Sequence, residues 1–315
     1  MAKRALGPAT WELVRAIRAH ADPERAWVVG CSGGRDSLAL TMAAALARPG
    51  GVRAVVVDHG LQPDSAQVAA RTAAQLADLV PTEVVRAEVG SAGGPEAAAR
   101  SARYAVLAAE ASRDGAEVLV GHTLDDQAET VLLGLTRGAG ARALAGMAVR
   151  TSWTDPALEL VRPLLGVRRE TCARACEERG LQWWDDPHNE EPAFLRSRIR
   201  TTVMPVLVEQ LGDRVVESLA RTAELLGDDA DLLDELTADA ADVSQPALDC
   251  AVVAELPAAL RGRLILSWLR RHGGRDLGQV HVGAVERLVL DWHGQGPVDL
   301  PGIRVLRRDG ALRIG

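Results

Sequence analysis

Apolar positions in the first part of the chain fall into two alternating kinds of run. Trp11, Val14, Ile17 and Ala21 recur at helical spacing, and after Pro23 a short stretch of β-formers begins at Ala26-Trp27 and runs through Cys31. Leu38 to Leu46 then has the length and composition of a buried helix. Val52 to Asp58 is short and rich in valine, which marks a buried strand, and residues 64–79 return to helical periodicity. Thr82 to Val89 alternates like a strand, Gly93-Gly94-Pro95 opens a helix reaching about Arg113, Val118 to Gly121 is a fourth strand, and a helix follows from about Leu124. Strands alternating with helices predict right-handed crossovers and an α/β, doubly wound parallel sheet covered on both faces. Ligands in such folds bind outside the carboxyl ends of the strands. The turn at 32–37, Asp58-His59-Gly60-Leu61, the turn at 90–95 and Gly121-His122 all fall at those ends.

The pattern changes after about residue 136. Residues 137–160 are rich in Gly and Ala around a polar Trp153-Thr154-Asp155-Pro156, and read as a loop. Arg162-Pro163-Leu164-Leu165 leads to a helix over 167–179, Trp183 to Asn189 is a turn, and Arg196 to Leu211 is helical with a break expected at Pro205. The domain boundary is expected near 212, where Gly212 ends one helix and Asp213 caps the next, giving domains at 1–212 and 213–315. The second, smaller part reads as α+β: a long acidic helix through 227–242, helices near 257–272 and 279–292, and terminal short strands with Arg308-Asp309-Gly310 as a hairpin turn.

Composition narrows the class. At 315 residues and 47% apolar, the chain has material for about two packed domains. No run approaches the ~20 apolar residues of a membrane span and no signal core is present, so a cytoplasmic protein with no membrane partner is expected. Cys31, Cys172, Cys176 and Cys250 contain no CxxC pair and are expected to be reduced packing residues. A net charge of −7 argues against indiscriminate nucleic-acid binding but leaves room for a local basic surface. Arginine clusters at 168/169/174, 196/198/200 and 261/263/270/271/275 could each meet a phosphate backbone.

Chemistry concentrates in two segments. In Cys31-Ser32-Gly33-Gly34-Arg35-Asp36-Ser37, the glycines admit a close ligand, the serines bring hydroxyls, and the following helix presents free N–H groups and its positive dipole end. The string is neither a Walker A loop nor a GxGxxG fingerprint. Asp36 either serves a cation or complements the helix dipole. The second segment is Gly121 to Thr130. Asp125 and Glu129, four apart, are expected on one helix face, where they either exploit the dipole or await Mg²⁺ or a substrate ammonium. Arg100, Arg103 and Tyr104 share a possible face, with an arginine reaching a phosphate or the face simply solvated.

Taken in order, Ser32 to Ser37, Asp58 to Leu61, Arg100-x-x-Arg103-Tyr104, Gly121 to Thr130 with Arg137-Gly138-Ala139-Gly140, Arg162 to Leu165, and Asp186-Pro187-His188-Asn189 with Arg196 to Arg200 are similar to the tRNA(Ile)-lysidine synthetase family of N-type ATP pyrophosphatases. The resemblance spans roughly residues 25–210. It implies ATP as substrate with Mg²⁺, free L-lysine, and isoleucine tRNA with a CAU anticodon as partners. The implied reaction is adenylation of the wobble cytidine (position 34) at its C2 oxygen with release of pyrophosphate, then attack of the lysine ε-amine at C2 with release of AMP. It assigns ATP binding to Ser32, Gly33, Gly34, Arg35, Asp36, Ser37, Asp58 and His59, a Mg²⁺ ligand role to Asp36, catalytic work to Asp36, Arg103, His122 and Glu129, and lysine binding to Asp125 and Glu129. For Asp186, Asn189, Arg196, Arg198 and Arg200 it implies tRNA contact or bracing of the site. Oligomeric state is left open, homodimer included.

Two rivals stand beside this reading. A tRNA 2-thiolase of the same superfamily also adenylates a base, but generally needs a cysteine pair near the site. A non-catalytic nucleotide-binding protein would leave the carboxylates at 125 and 129 and the arginine-rich extension unexplained.

Overall fold

A computed structural model describes residues 6–60, 64–90, 94–138, 140–153, 158–185 and 194–315. The valine-rich runs form the centre of a parallel sheet: β1 Trp27–Gly30, β2 Val52–Asp58, β3 Thr82–Arg86 and β4 Glu117–Val120. Beyond them lie two strands of three residues, β5 Arg150–Ser152 and β6 Glu159–Val161. The sheet order is β3-β2-β1-β4-β6-β5, parallel except for the antiparallel edge pair β5–β6. The expected loop over 137–160 is thereby corrected. It contains these two strands and a short helix, Ala141–Leu144.

Side-chain alternation along β1 explains why both faces are covered. Trp27 and Val29 point into a core formed with the helices Pro8–His20, Arg35–Ala47 and Arg169–Arg179, whereas Val28 points to the opposite core with Leu107 and Ala111 of the helix Pro95–Ser112. At a coefficient of roughly 25 cal/mol per Å² of apolar surface, this two-sided burial is the main force fixing the sheet. Strand order reverses between β1 and β4, so the connections leaving their carboxyl ends diverge and open a crevice there. The 32–37 turn and Gly121-His122 flank that crevice.

The chain divides into two compact units, Met1–Leu225 and Leu226–Gly315, the division falling within one 26-residue helix, Val215–Ala240. That helix starts two residues after Asp213, so Asp213 is not its cap. The irregularity expected at Pro205 lies just before it. A π-turn at Ile199–Val203 separates the short helix Leu195–Arg198 from Met204–Leu211, and Pro205 occupies the first turn of the latter, where its missing N–H costs nothing. The second unit is α+β as expected. Its antiparallel sheet, β7 Ala247–Asp249, β8 Val298–Leu300, β9 Ile303–Arg308 and β10 Ala311–Ile314, has the order β7-β10-β9-β8. Trp268 and Leu264 of the helix Ala258–Arg271 and Val285 of Gln279–Leu290 pack with Val305 and Leu312 of this sheet. Asp309 and Gly310 take positive φ in the β9–β10 turn, as a two-residue hairpin requires. No helix among the described residues is long and apolar enough to cross a membrane.

Candidate active site

The turn after β1 is stitched from within. Ser37 Oγ donates to Gly34 O at 2.9 Å, accepts from the Ser32 amide at 3.1 Å and lies 3.2 Å from Ser32 Oγ. Gly33 has φ +81°, and a Cβ there would sit 2.3 Å from Thr72 Oγ1. Conformation and crowding therefore both demand glycine. The helix begins at Arg35, so its first amides and its dipole point out of this turn beside Asp36. Burial pushes the Asp36 carboxyl up from its ordinary value, with Arg169 opposing. Arg35 Nε and Arg169 Nε lie 3.4 and 3.5 Å from its oxygens.

Across the crevice, Thr123 caps the helix Leu124–Thr136 in a capping box with Asp126. That cap decides which carboxylates meet. Asp126 Oδ2 takes the Thr123 amide and hydroxyl, both at 2.8 Å, and its Oδ1 faces Arg169, Arg196 and Arg200 at 2.9, 3.3 and 2.9 Å. Glu129, only 1% exposed, binds the same arginines at 2.8 to 3.2 Å. Burial alone would raise Asp126; the three guanidiniums outweigh it and hold the carboxyl below its ordinary range.

The expected pairing of Asp125 with Glu129 is therefore corrected. Asp125 turns away to accept the Arg169 amide at 2.7 Å, at the start of the helix Arg169–Arg179, and to face Arg168 at 3.4 Å. Asp126 replaces it beside Glu129. Arg196 and Arg200 point inward to these carboxylates, while Arg198 between them is exposed. Arg168 and Arg169 likewise face carboxylates of the site, Arg168 also pairing with Glu217 at 2.6 Å. Asp186 and Asn189 lie outside the described residues.

On the other flank, Asp58 accepts the Gly60 amide at 2.9 Å, and hydrogen bonds from Ser65 and then Gly60 lower its pKa. Arg103 Nε lies 3.4 Å from His59 Nε2; burial and then Arg103 push His59 down. Arg100 stacks on Tyr104 at 4.8 Å, and Tyr104 meets Trp153 edge-on at 5.0 Å. Arg100 thus pairs with Tyr104, and Arg103 meets His59. Burial drives His122 down to about 3, so it is neutral at working pH. Nδ1 of both His59 and His122 is buried without a hydrogen-bond partner. Unsatisfied polar atoms of this kind, on both sides of one crevice, suit a polar ligand.

All four cysteines are free and buried. Burial raises the Cys31 and Cys172 thiols and pushes Cys176 up to about 12, which makes them packing groups, unsuited to delivering sulfur. Among the described residues no group of three or more His, Cys, Asp or Glu is arranged to cage a metal. Mg²⁺ needs no such cage when substrate phosphates complete its shell, and Asp36 at the loop suits that arrangement.

Residues 10–207 match the PP-loop domain family and 248–313 the TilS substrate binding domain. The tRNA(Ile)-lysidine synthase of Salinispora tropica is 51% identical over 326 residues, covering 98% of this chain and 97% of that protein. The tRNA(Ile)-lysidine synthase of Leifsonia xyli subsp. xyli is 49% identical over 298 residues, with 90% and 88% covered. The chain belongs to the tRNA(Ile)-lysidine synthase family. A solved U34-tRNA thiolase, NcsA from Methanococcus maripaludis with its [4Fe-4S] cluster, shares the fold at 18% identity and TM-score 0.56, over 70% of this chain and 80% of that one.

Proposed function

We propose that this protein ligates free L-lysine to C2 of the wobble cytidine (position 34) of isoleucine tRNA bearing a CAU anticodon, consuming ATP and releasing AMP and pyrophosphate. The observation that carries this reading, beside the family, is the placement of a glycine turn at the end of β1 and the Asp126/Glu129 pair at the end of β4, on the two sides of one crevice. An anion grip and an ammonium acceptor then face a single reaction centre.

The base carbonyl oxygen would attack the α-phosphorus of ATP, and the P–O bond to pyrophosphate would break. Amides from Gly33 to Ser37 and the helix terminus at Arg35 would take the departing charge, usually the largest catalytic contribution. Asp36 would hold Mg²⁺, which when bound offsets phosphate charge. Arg103 would complement the α-phosphate, and Asp58 and His59 would border the nucleotide. His122, neutral, would orient the substrate by hydrogen bonding. In the second step the lysine ε-amine would attack C2 and expel AMP. Glu129 with Asp126 would receive the lysine, and Glu129 would take the proton the amine must lose.

Residues 213–315 would contact tRNA, through exposed arginines such as Arg270, Arg271 and Arg275. Mass analysis of the tRNA nucleosides after incubation with ATP and isotope-labelled lysine tests the whole reading. A labelled lysine-cytidine adduct is expected; ATP consumption that requires tRNA but leaves no lysine on the base would overturn it.

A further inference from the structure

The Asp126/Glu129 pair is already full. A carboxylate offers about four lone-pair positions. Those of Asp126 are taken by Thr123 on one oxygen and by Arg169, Arg196 and Arg200 on the other. Glu129 Oε1 accepts from Arg169 and Arg200, and Oε2 from Arg196 and Arg200. A substrate ammonium needs acceptors, so it must displace a guanidinium from this set.

The three arginines are not held alike. The Arg169 amide is fixed by Asp125 at 2.7 Å, its side chain also faces Asp36, and its helix packs Cys172 and Cys176 into the core. Arg169 is the resident counter-ion. The Arg196 and Arg200 side chains are 31% and 29% exposed against 16% for Arg169. They stand on a four-residue helix and the π-turn that follows it, where the regular hydrogen-bond ladder is interrupted. Charge agrees with this division. Asp36, Asp126 and Glu129 with Arg35 and Arg169 carry a net −1, to which Arg196 and Arg200 add two positive charges. Their departure leaves a buried anionic pocket with open acceptors, which is what a cationic side chain requires.

We infer that Arg196 and Arg200 are internal surrogates for the substrate ammonium, and that lysine binding and their transfer to phosphates of the bound RNA are one coupled event. This rests on the lysidine-forming reading above. Two guanidiniums released at the crevice find phosphate the natural acceptor in a complex with RNA, because their fork geometry matches it. Coupling between binding events is reciprocal: tRNA must tighten lysine as much as lysine tightens tRNA.

The test is equilibrium dialysis of labelled lysine against the full chain with a non-hydrolysable ATP analogue, with and without an isoleucine tRNA transcript. For the unaltered protein, tRNA should lower the lysine Kd by about tenfold. Arg200→Ala should bind lysine about tenfold more tightly than the unaltered protein without tRNA, and tRNA should then add little. Arg196→Ala should shift the same way and Arg200→Lys should restore the dependence on tRNA. Equal lysine affinity with and without tRNA in the unaltered protein overturns the inference, even if the alanine variants do not fold. So does a folded Arg200→Ala variant that binds lysine no better. If the unaltered protein forms the labelled adduct but shows no coupling, this inference alone fails; if it binds no lysine under any condition, the functional reading fails with it.

Discussion

Gly121 rests on the backbone of Asp36: a Cβ at Gly121 would lie 3.0 Å from the Asp36 carbonyl carbon and oxygen and 3.1 Å from the Ser37 amide. The end of β4 and the start of the helix after β1 thus touch through main chain, and neither side has a flexible atom to yield. Gly121→Ala should push the 32–37 turn away from the Asp126/Glu129 side. The expected result is a rise in the ATP KM of about tenfold with a loss of stability of about 1–3 kcal/mol. Steady-state pyrophosphate release and a urea unfolding curve check it; an unchanged KM would show that the two strand ends act independently.

Gly33 tests the loop itself. Alanine there meets two separate penalties, a positive φ costing about 1 kcal/mol and the Cβ placed 2.3 Å from Thr72 Oγ1. Thr72→Ala removes the hydroxyl and leaves the backbone strain. The double variant Gly33→Ala/Thr72→Ala should therefore recover part of the stability lost by Gly33→Ala, and not all of it. Urea midpoints of the two single variants and the double variant measure this coupling.

Glu129→Gln keeps the shape of the side chain and removes the charge that would attract an ammonium. The lysine KM should rise by about tenfold or more while the ATP KM moves by less than about twofold. Equal changes in both would mark Glu129 as a general support of the crevice; an unchanged lysine KM would remove it from lysine recognition.

What could be read in advance was set by how local each signal is. β1 to β4 and their helices were legible because valine runs and helical periodicity are properties of neighbouring residues, and so was the 32–37 turn. The strands β5 and β6 were not, since three residues carry no period. Asp125 was expected beside Glu129 on spacing alone, whereas Thr123 fixes the helix start and draws Asp126 into the cap, turning Asp125 toward the start of the helix Arg169–Arg179. The Thr123-x-x-Asp126 spacing was the available signal, being that of a capping box with Asp in the usual Glu/Gln place. Arg169 had no such mark. It is one arginine among many, and only tertiary packing brings it within 3.5 Å of Asp36 and 2.9 Å of Asp126.

The depressed pKa of His122 has a definite sign. Its folded value, about 3, lies below the ordinary 6.5, so as pH falls below 6.5 the unfolded chain takes up a proton that the folded chain refuses. Stability should be flat above that point and decline toward pH 4, His59 contributing in the same direction. His122→Gln should make the decline shallower. Urea midpoints from pH 8 to pH 4.5 test this, before the carboxylates titrate. The same shift predicts that kcat/KM between pH 5 and 8 shows no ionisation from His122; an inflection that disappears in His122→Gln would contradict a neutral role.

The second unit should announce itself through salt. Arg261 and Arg263 are half-buried in ion pairs with Glu286 and Asp234, so they have little charge to offer an RNA, while Arg270, Arg271 and Arg275 are exposed near the end of the helix Ala258–Arg271. Phosphate contacts made by exposed arginines release counterions, and each lost contact lowers the slope of log K against log salt by about 0.7–0.9. Replacing Arg270, Arg271 and Arg275 with Gln should weaken binding of the tRNA transcript at low salt and reduce that slope, with the lysine KM at saturating tRNA unchanged. Replacing Arg261 should lower stability, by breaking its pair with Glu286, and leave the slope as it was. Filter-binding isotherms from about 50 to 200 mM salt span the range in which such contacts are lost. A slope that is insensitive to the exposed arginines and sensitive to Arg261 would mean that the RNA meets a different face of this unit.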